Sequence, residues 1–205
     1  MYLTKTPDIL KPIAGDLLWD IKTEKREIFL TFDDGPIPEV TPAVLDILDK
    51  FNAKATFFCV GENIVRHPEI LEEVKRRGHL VANHTYSHEK GWDTSQYLYL
   101  KSFLKCQALT QTPFFRPPHG RIKRQQVQSL KDRTTIVMWD ILSGDFDTNC
   151  TPEKCIHNVM KSARPGSIVV FHDSLKARKT MLIALPEILQ SLTNLGYRFP
   201  VLRKG

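Results

Sequence analysis

The chain has 205 residues, 41% of them apolar and 25% charged, with a formal net charge of +6. That length suits one domain with a substantial core, and the composition is ordinary for a soluble globular protein. No segment approaches the roughly 20 apolar residues that span a bilayer, and the scattered basic residues carry no nucleic-acid-binding motif, so neither membrane nor nucleic acid is an expected partner.

In chain order, residues 1–26 read as an N-terminal arm with short apolar patches at Ile9-Leu10 and Leu17-Leu18-Trp19, and residues 27–203 as the body. The opening segment has no apolar run long enough for a signal peptide, from which a cytoplasmic chain is expected. Residues 28–32, I-F-L-T-F, have the composition of a buried strand that stops at Asp33-Asp34, before a Gly35-Pro36 turn. Thr41-Pro42 then starts a helix, the threonine as its cap. Next come a strand at 55–60, a helix opened by His67-Pro68, and a strand at 79–82 running into N-H-T-Y-S-H. A helix over 95–109 leads to a short strand at Phe114-Phe115 that enters R-P-P-H-G. A helix over 123–131, a strand over 134–139 and a helix over 152–161 follow. Strand 167–171 ends in His172-Asp173, and helix 180–195, with Pro186 marking a kink or break, precedes a last strand at 198–202.

About seven strands, each followed by a helix or loop, argue for an α/β fold with a parallel sheet and outer helices. That many units suit a closed or nearly closed barrel, with an open doubly wound sheet as the alternative. Cys59 and Cys106 fall inside predicted elements and read as buried free thiols, and Cys150 and Cys155 as reduced thiols rather than a disulfide.

The polar residues are placed systematically. Asp33-Asp34, His84 and His88, Arg116, Asp140 and Asp145, and His172 each sit just past the carboxyl end of a predicted strand. In a parallel α/β barrel those ends share one face, where active sites are built. Two adjacent carboxylates at a buried strand end repel and resist desolvation, a cost that a cation offsets. His84 and His88 are four apart, which on one helical turn puts both imidazoles on one side. With one acid they make a two-histidine, one-carboxylate set suited to catalytic zinc, or to non-haem iron.

In this order, T-F-D-D-G-P, N-H-T-Y-S-H, F-R-P-P-H-G and V-V-F-H resemble the polysaccharide deacetylase family, the NodB homology domain of carbohydrate esterase family 4. The likeness runs over residues 28–202. It implies a distorted (β/α) barrel and metal-dependent removal of N- or O-acetyl groups from a carbohydrate substrate. It also implies Asp34, His84 and His88 as ligands of one divalent metal ion, zinc first, with cobalt, nickel or iron left open. Asp33 is implied as general base, Arg116 as the residue that holds it in place, and His172 as the acid for the departing amine. Pro118, His119 and Gly120 occupy the family's R-P-P-Y loop, where the His119 N–H would face the oxyanion.

Two departures from the family pattern stand out. His119 replaces a tyrosine, and W-D-I-L-S-G-D-F has Leu142 for the usual first aspartate and Phe146 for tryptophan. The acid that tunes His172 is therefore Asp145 or Asp140, and Phe146 and Trp139 are candidate sugar-facing surfaces, with core packing as the favoured role for Trp139. Besides glycan deacetylation, a deacylase for a small non-glycan amide and a non-catalytic glycan-binding barrel are both compatible with the chain.

Overall fold

The computed structural model describes residues 3–11 and 15–203. Its strands are β1 (Leu17–Leu18), β2 (Phe29–Asp33), β3 (Ala55–Cys59), β4 (Leu80–Asn83), β5 (Phe114–Phe115), β6 (Thr135–Val137), β7 (Ile141–Leu142) and β8 (Ile168–His172). They form one 8-stranded sheet in the order β1-β6-β5-β4-β3-β2-β8-β7, and every pairing is parallel. The outer helices are α1 (Thr41–Lys50), α2 (Gly61–Arg66), α3 (Pro68–Arg76), α4 (Gln96–Thr110), α5 (Arg124–Leu130), α6 (Pro152–Met160) and α7 (Arg178–Asn194).

Strands β6 and β7 lie towards opposite ends of that order, yet only Met138, Trp139 and Asp140 separate them. Four Cα steps span at most about 15 Å, so the sheet has to curl until its two ends meet. The result is the distorted barrel expected from the alternation of elements. The N-terminal segment helps at the seam, where the Leu142 N–H donates to Thr4 O and the Thr6 N–H donates to Asp140 O, both at 2.9 Å.

Alternation along the strands decides what faces inward. On β2, Leu30 and Phe32 pack outward with Phe57 of β3, Phe171 of β8 and the apolar faces of the helices. Phe29 belongs instead to a second cluster with Phe58, Ala82, Val137 and Ile168. Thr31 and Asp33 share the face of Phe29 by the period of two, which carries Asp33 to the carboxyl end of the barrel interior.

Several local expectations are corrected. Leu17-Leu18 is not an irregular arm but strand β1, paired with β6, and Ile9 is exposed. Two elements go beyond the expected set: Ile141–Leu142 forms a separate strand, β7, and Gly61–Arg66 forms helix α2. Residues 198–202 form no strand beyond a single bridge from Glu27 to Arg198. Pro200 has no N–H to pair there, and the Leu202 N–H goes to the Thr56 hydroxyl instead. Helix α7 continues through Pro186 without a break, its face buried at Met181, Leu185, Ile188 and Leu192. Thr41 lies inside α1 and does not cap it. All four cysteines are buried free thiols. Among the described residues, no helix is long and apolar enough to cross a membrane.

Candidate active site

Asp33 ends β2 and lies in register with His172, which ends β8. The next residue, Asp34, turns out of the strand with φ 87°. On the other side, β4 delivers His84, and the loop beyond it returns His88. The sequence expectation of a helical turn here is not met. Thr85 and His88 both adopt left-handed backbone, φ 61° and 57°, and this irregular loop brings the two imidazole centroids to 5.0 Å.

Asp34 Oδ1 lies 3.2 Å from His88 Nε2 and 3.9 Å from His84 Nε2. One donor atom from each of the three residues falls within 4.8 Å of the others. The chemistry of the set suits a divalent cation. His84 donates its Nδ1–H to the Arg116 carbonyl at 2.8 Å, so the neutral ring presents its Nε2 lone pair to the cluster, the usual device for orienting a metal-binding histidine. Burial, with His88 nearby, lowers the His84 pKa to about 4 against the pull of Asp33 and Asp34, so the ring is neutral at pH 7. Burial pushes the Asp34 pKa up, but the hydrogen bond from His88 and the surrounding histidines outweigh it and hold the carboxyl well below its usual range.

Arg116 is fully buried and reads as a strut. Its guanidinium donates to Asp33 Oδ1 at 2.7 Å, to Thr31 Oγ1 at 2.8 Å and to the Met138 carbonyl at 2.8 Å. It also lies over the Phe58 ring at 4.1 Å. Five donors in a rigid fork permit this, and a lysine could not reproduce it.

Of Asp145 and Asp140, it is Asp145 that contacts His172. Asp145 accepts the His172 Nδ1–H at 2.8 Å and the His172 backbone N–H at 2.7 Å. Asp140 precedes β7 and so lies at the opposite end of the barrel, bound to Lys5 at 2.6 Å and Ser167 at 2.7 Å. The acidic cluster of Asp8, Asp20 and Asp140 there is met by Lys5, Lys11 and Arg164.

In the R-P-P-H-G loop Pro118 is buried, and the exposed His119, with φ 58°, lays its ring 4.6 Å from that of His88. Partial desolvation of this otherwise exposed ring, then His88, lower the His119 pKa to about 4, with Lys90 and Arg121 adding to the effect. Gly120 has φ 65°, and a Cβ there would lie 2.4 Å from the Trp139 ring, so this glycine is required by the close packing. Trp139 is half-buried against that loop, and Phe146 packs edge-on to His172 at 5.1 Å between centroids.

Two supporting residues are not singled out by the sequence. Thr31 contacts Arg116, and an i, i+2 polar pair with Asp33 on one strand face could have signalled it. Asp173 is buried beneath the D-D-G-P turn, accepting from the Gly35 N–H at 3.1 Å and from the Thr41 hydroxyl at 2.6 Å. That second bond is where the Thr41 side chain goes in place of the expected cap.

The family described as "Polysaccharide deacetylase" matches residues 20–135. A peptidoglycan-N-acetylglucosamine deacetylase of Bacillus cereus is 34% identical over 194 residues, covering 91% of each chain. A chitooligosaccharide deacetylase of Azorhizobium caulinodans is 33% identical over 162 residues, covering 75% of this chain and 76% of that one. A crystal structure of a peptidoglycan N-acetylglucosamine deacetylase superposes with a TM-score of 0.88 at 30% identity, covering 96% and 95% of the two chains.

Proposed function

The chain belongs to the polysaccharide deacetylase family, carbohydrate esterase family 4, and on that premise we propose that it is a metal-dependent hydrolase removing N-acetyl groups from a glycan. The observation that carries this reading is the convergence of Asp34, His84 and His88 within 4.8 Å, with Asp33 and His172 in register on adjacent strands beside them. Relatives named as peptidoglycan and chitooligosaccharide deacetylases support the glycan as substrate class.

Asp34, His84 and His88 would hold one divalent ion, zinc by donor type. Such an ion supplies Lewis acidity and lowers the pKa of water from about 15.7 toward about 7. Asp33, held by Arg116 and Thr31, takes the proton of the attacking water. The backbone N–H of His119 serves the developing oxyanion. His172, whose Nδ1–H is tied to Asp145, gives its Nε2 proton to the departing amine. Trp139, Pro118 and Gly120 form the packed wall on the His119 side, and Phe146 covers the His172 ring.

The test is acetate release from N-acetylglucosamine oligomers by chelator-treated protein, with and without added zinc or cobalt. Release that depends on the metal supports the reading. Binding of the oligomers with no release in any metal would favour a glycan-binding barrel, and release only from small amides would favour the non-glycan deacylase.

A further inference from the structure

Beyond the cation cluster, two loops are stitched together on its His119 side. The Gly91 N–H donates to Arg121 O at 3.1 Å, and Gln126 Nε2 returns a bond to Gly91 O at 3.1 Å. Lys123 Nζ reaches Thr94 O at 2.9 Å. A Cβ on Gly91 would sit 2.4 Å from Arg121 O, so the two backbones are in direct contact. One loop carries His88 and the other His119, whose rings touch.

On these loops Trp92 is 58% exposed, although its indole N–H is fixed to Ile122 O at 3.2 Å. The Arg121 guanidinium lies over the same indole at 5.2 Å. The bond to Ile122 O fixes the orientation of this exposed ring, so its apolar surface is presented in one place. Trp92 is only four residues past His88, which limits their Cα separation to about 15 Å. Lys90 and Arg121 are exposed, and among the described residues neither forms a salt bridge. Of the acids on the loop, Glu89 is turned to the Ser102 hydroxyl at 2.6 Å, and the exposed Asp93 pairs with neither cation. A guanidinium that lies over the indole but has no acid partner offers a carboxylate charge-assisted hydrogen bonds, and the part of the indole still exposed offers a sugar ring an apolar surface.

We propose that Trp92, Arg121 and Lys90 form a subsite next to the cation cluster that stacks a pyranose ring and pairs with a carboxylate on it, giving this chain a preference for acidic over neutral N-acetylated glycans. The preference deepens the deacetylase reading and rests on it for its meaning, but it is measurable as binding alone.

Two tetrasaccharides serve as probes: one alternating N-acetylglucosamine with N-acetylmuramic acid, and the neutral N-acetylglucosamine tetramer. Calorimetry on the full chain is expected to give about tenfold tighter binding of the acidic probe, the equivalent of about 1.4 kcal/mol, and the margin should shrink with salt. Arg121→Gln should abolish the margin and leave the neutral Kd within about twofold. Trp92→Ala should weaken both probes several-fold, and Trp92→Phe should restore most of the loss. Equal binding of the two probes by the unaltered chain, or a margin that survives Arg121→Gln, overturns the proposal. So does a Trp92→Ala chain that binds both as before. These constants need no turnover, so they decide the subsite even where neither probe releases acetate, a result that would instead count against the deacetylase reading.

Discussion

Both oxygens of Asp145 are engaged by His172, Oδ1 by the ring Nδ1–H at 2.8 Å and Oδ2 by the backbone N–H at 2.7 Å. Burial disfavours the imidazolium, but Asp145 first, then Asp34 and Asp33, outweigh it and raise the His172 pKa to about 9. Asp145→Asn is therefore expected to move the titration of His172 down toward the ordinary 6.5, as read by NMR of the imidazole in metal-free protein. Because the folded pKa is the higher one, the stabilisation from this pair is complete below about 6.5 and fades as pH rises through about 9. The variant should lose that fade. A His172 resonance that titrates unchanged would remove Asp145 as its tuning partner.

Asp33 and His84 should separate on substitution. Asp33→Asn leaves the three donor atoms of the cluster intact, so metal content should persist while kcat falls by about 10²- to 10⁴-fold. His84→Ala removes a ligand and should lose both metal and turnover. Metal analysis of each purified variant, beside its acetate-release rate, checks the pair; near-normal turnover in Asp33→Asn would exclude it as the base.

Arg116 is a stability prediction as well as a catalytic one. Arg116→Leu leaves the carboxylate of Asp33 without its cation and the Met138 carbonyl without its donor. Breaking a buried pair on one side costs about 3–5 kcal/mol, which thermal or urea unfolding should register. Arg116→Lys should recover only part of it, since an ammonium cannot span all of these acceptors.

Gly35 tests the floor of the D-D-G-P turn. A Cβ at this position would lie 2.0 Å from Asp173 Oδ2, so Gly35→Ala should destabilise by about 1–3 kcal/mol and lower kcat through displacement of the adjoining Asp33 and Asp34. Asp173→Ala combined with it should cost less than the sum of the two single changes, because the residues share one space. Strict additivity in denaturant unfolding would contradict the contact.

The parts legible in the sequence were those set by local composition. The I-F-L-T-F and S-I-V-V-F runs, the helix opened by Ser95 and the acids and histidines beyond the strand ends all stood out because apolar runs and turn residues declare themselves locally. What stayed hidden depended on tertiary pairing. Leu17-Leu18 has no strand signal of its own and becomes β1 only through β6. Asp140 and Asp145 looked equivalent five residues apart, and the break between β6 and β7 sends them to opposite ends of the barrel. His84 and His88 were expected to converge on a helical turn, yet two left-handed residues bring them together instead, a conformation that the residue types there do not advertise.

The most direct test is a zinc titration of the metal-free chain with acetate release from an N-acetylglucosamine oligomer followed in the same samples. One zinc per chain is expected, with activity rising in proportion to occupancy and both lost together in His84→Ala. Zinc that binds equally well to His84→Ala, or turnover that proceeds unchanged in the metal-free chain, would contradict the assignment of Asp34, His84 and His88 as the catalytic metal site.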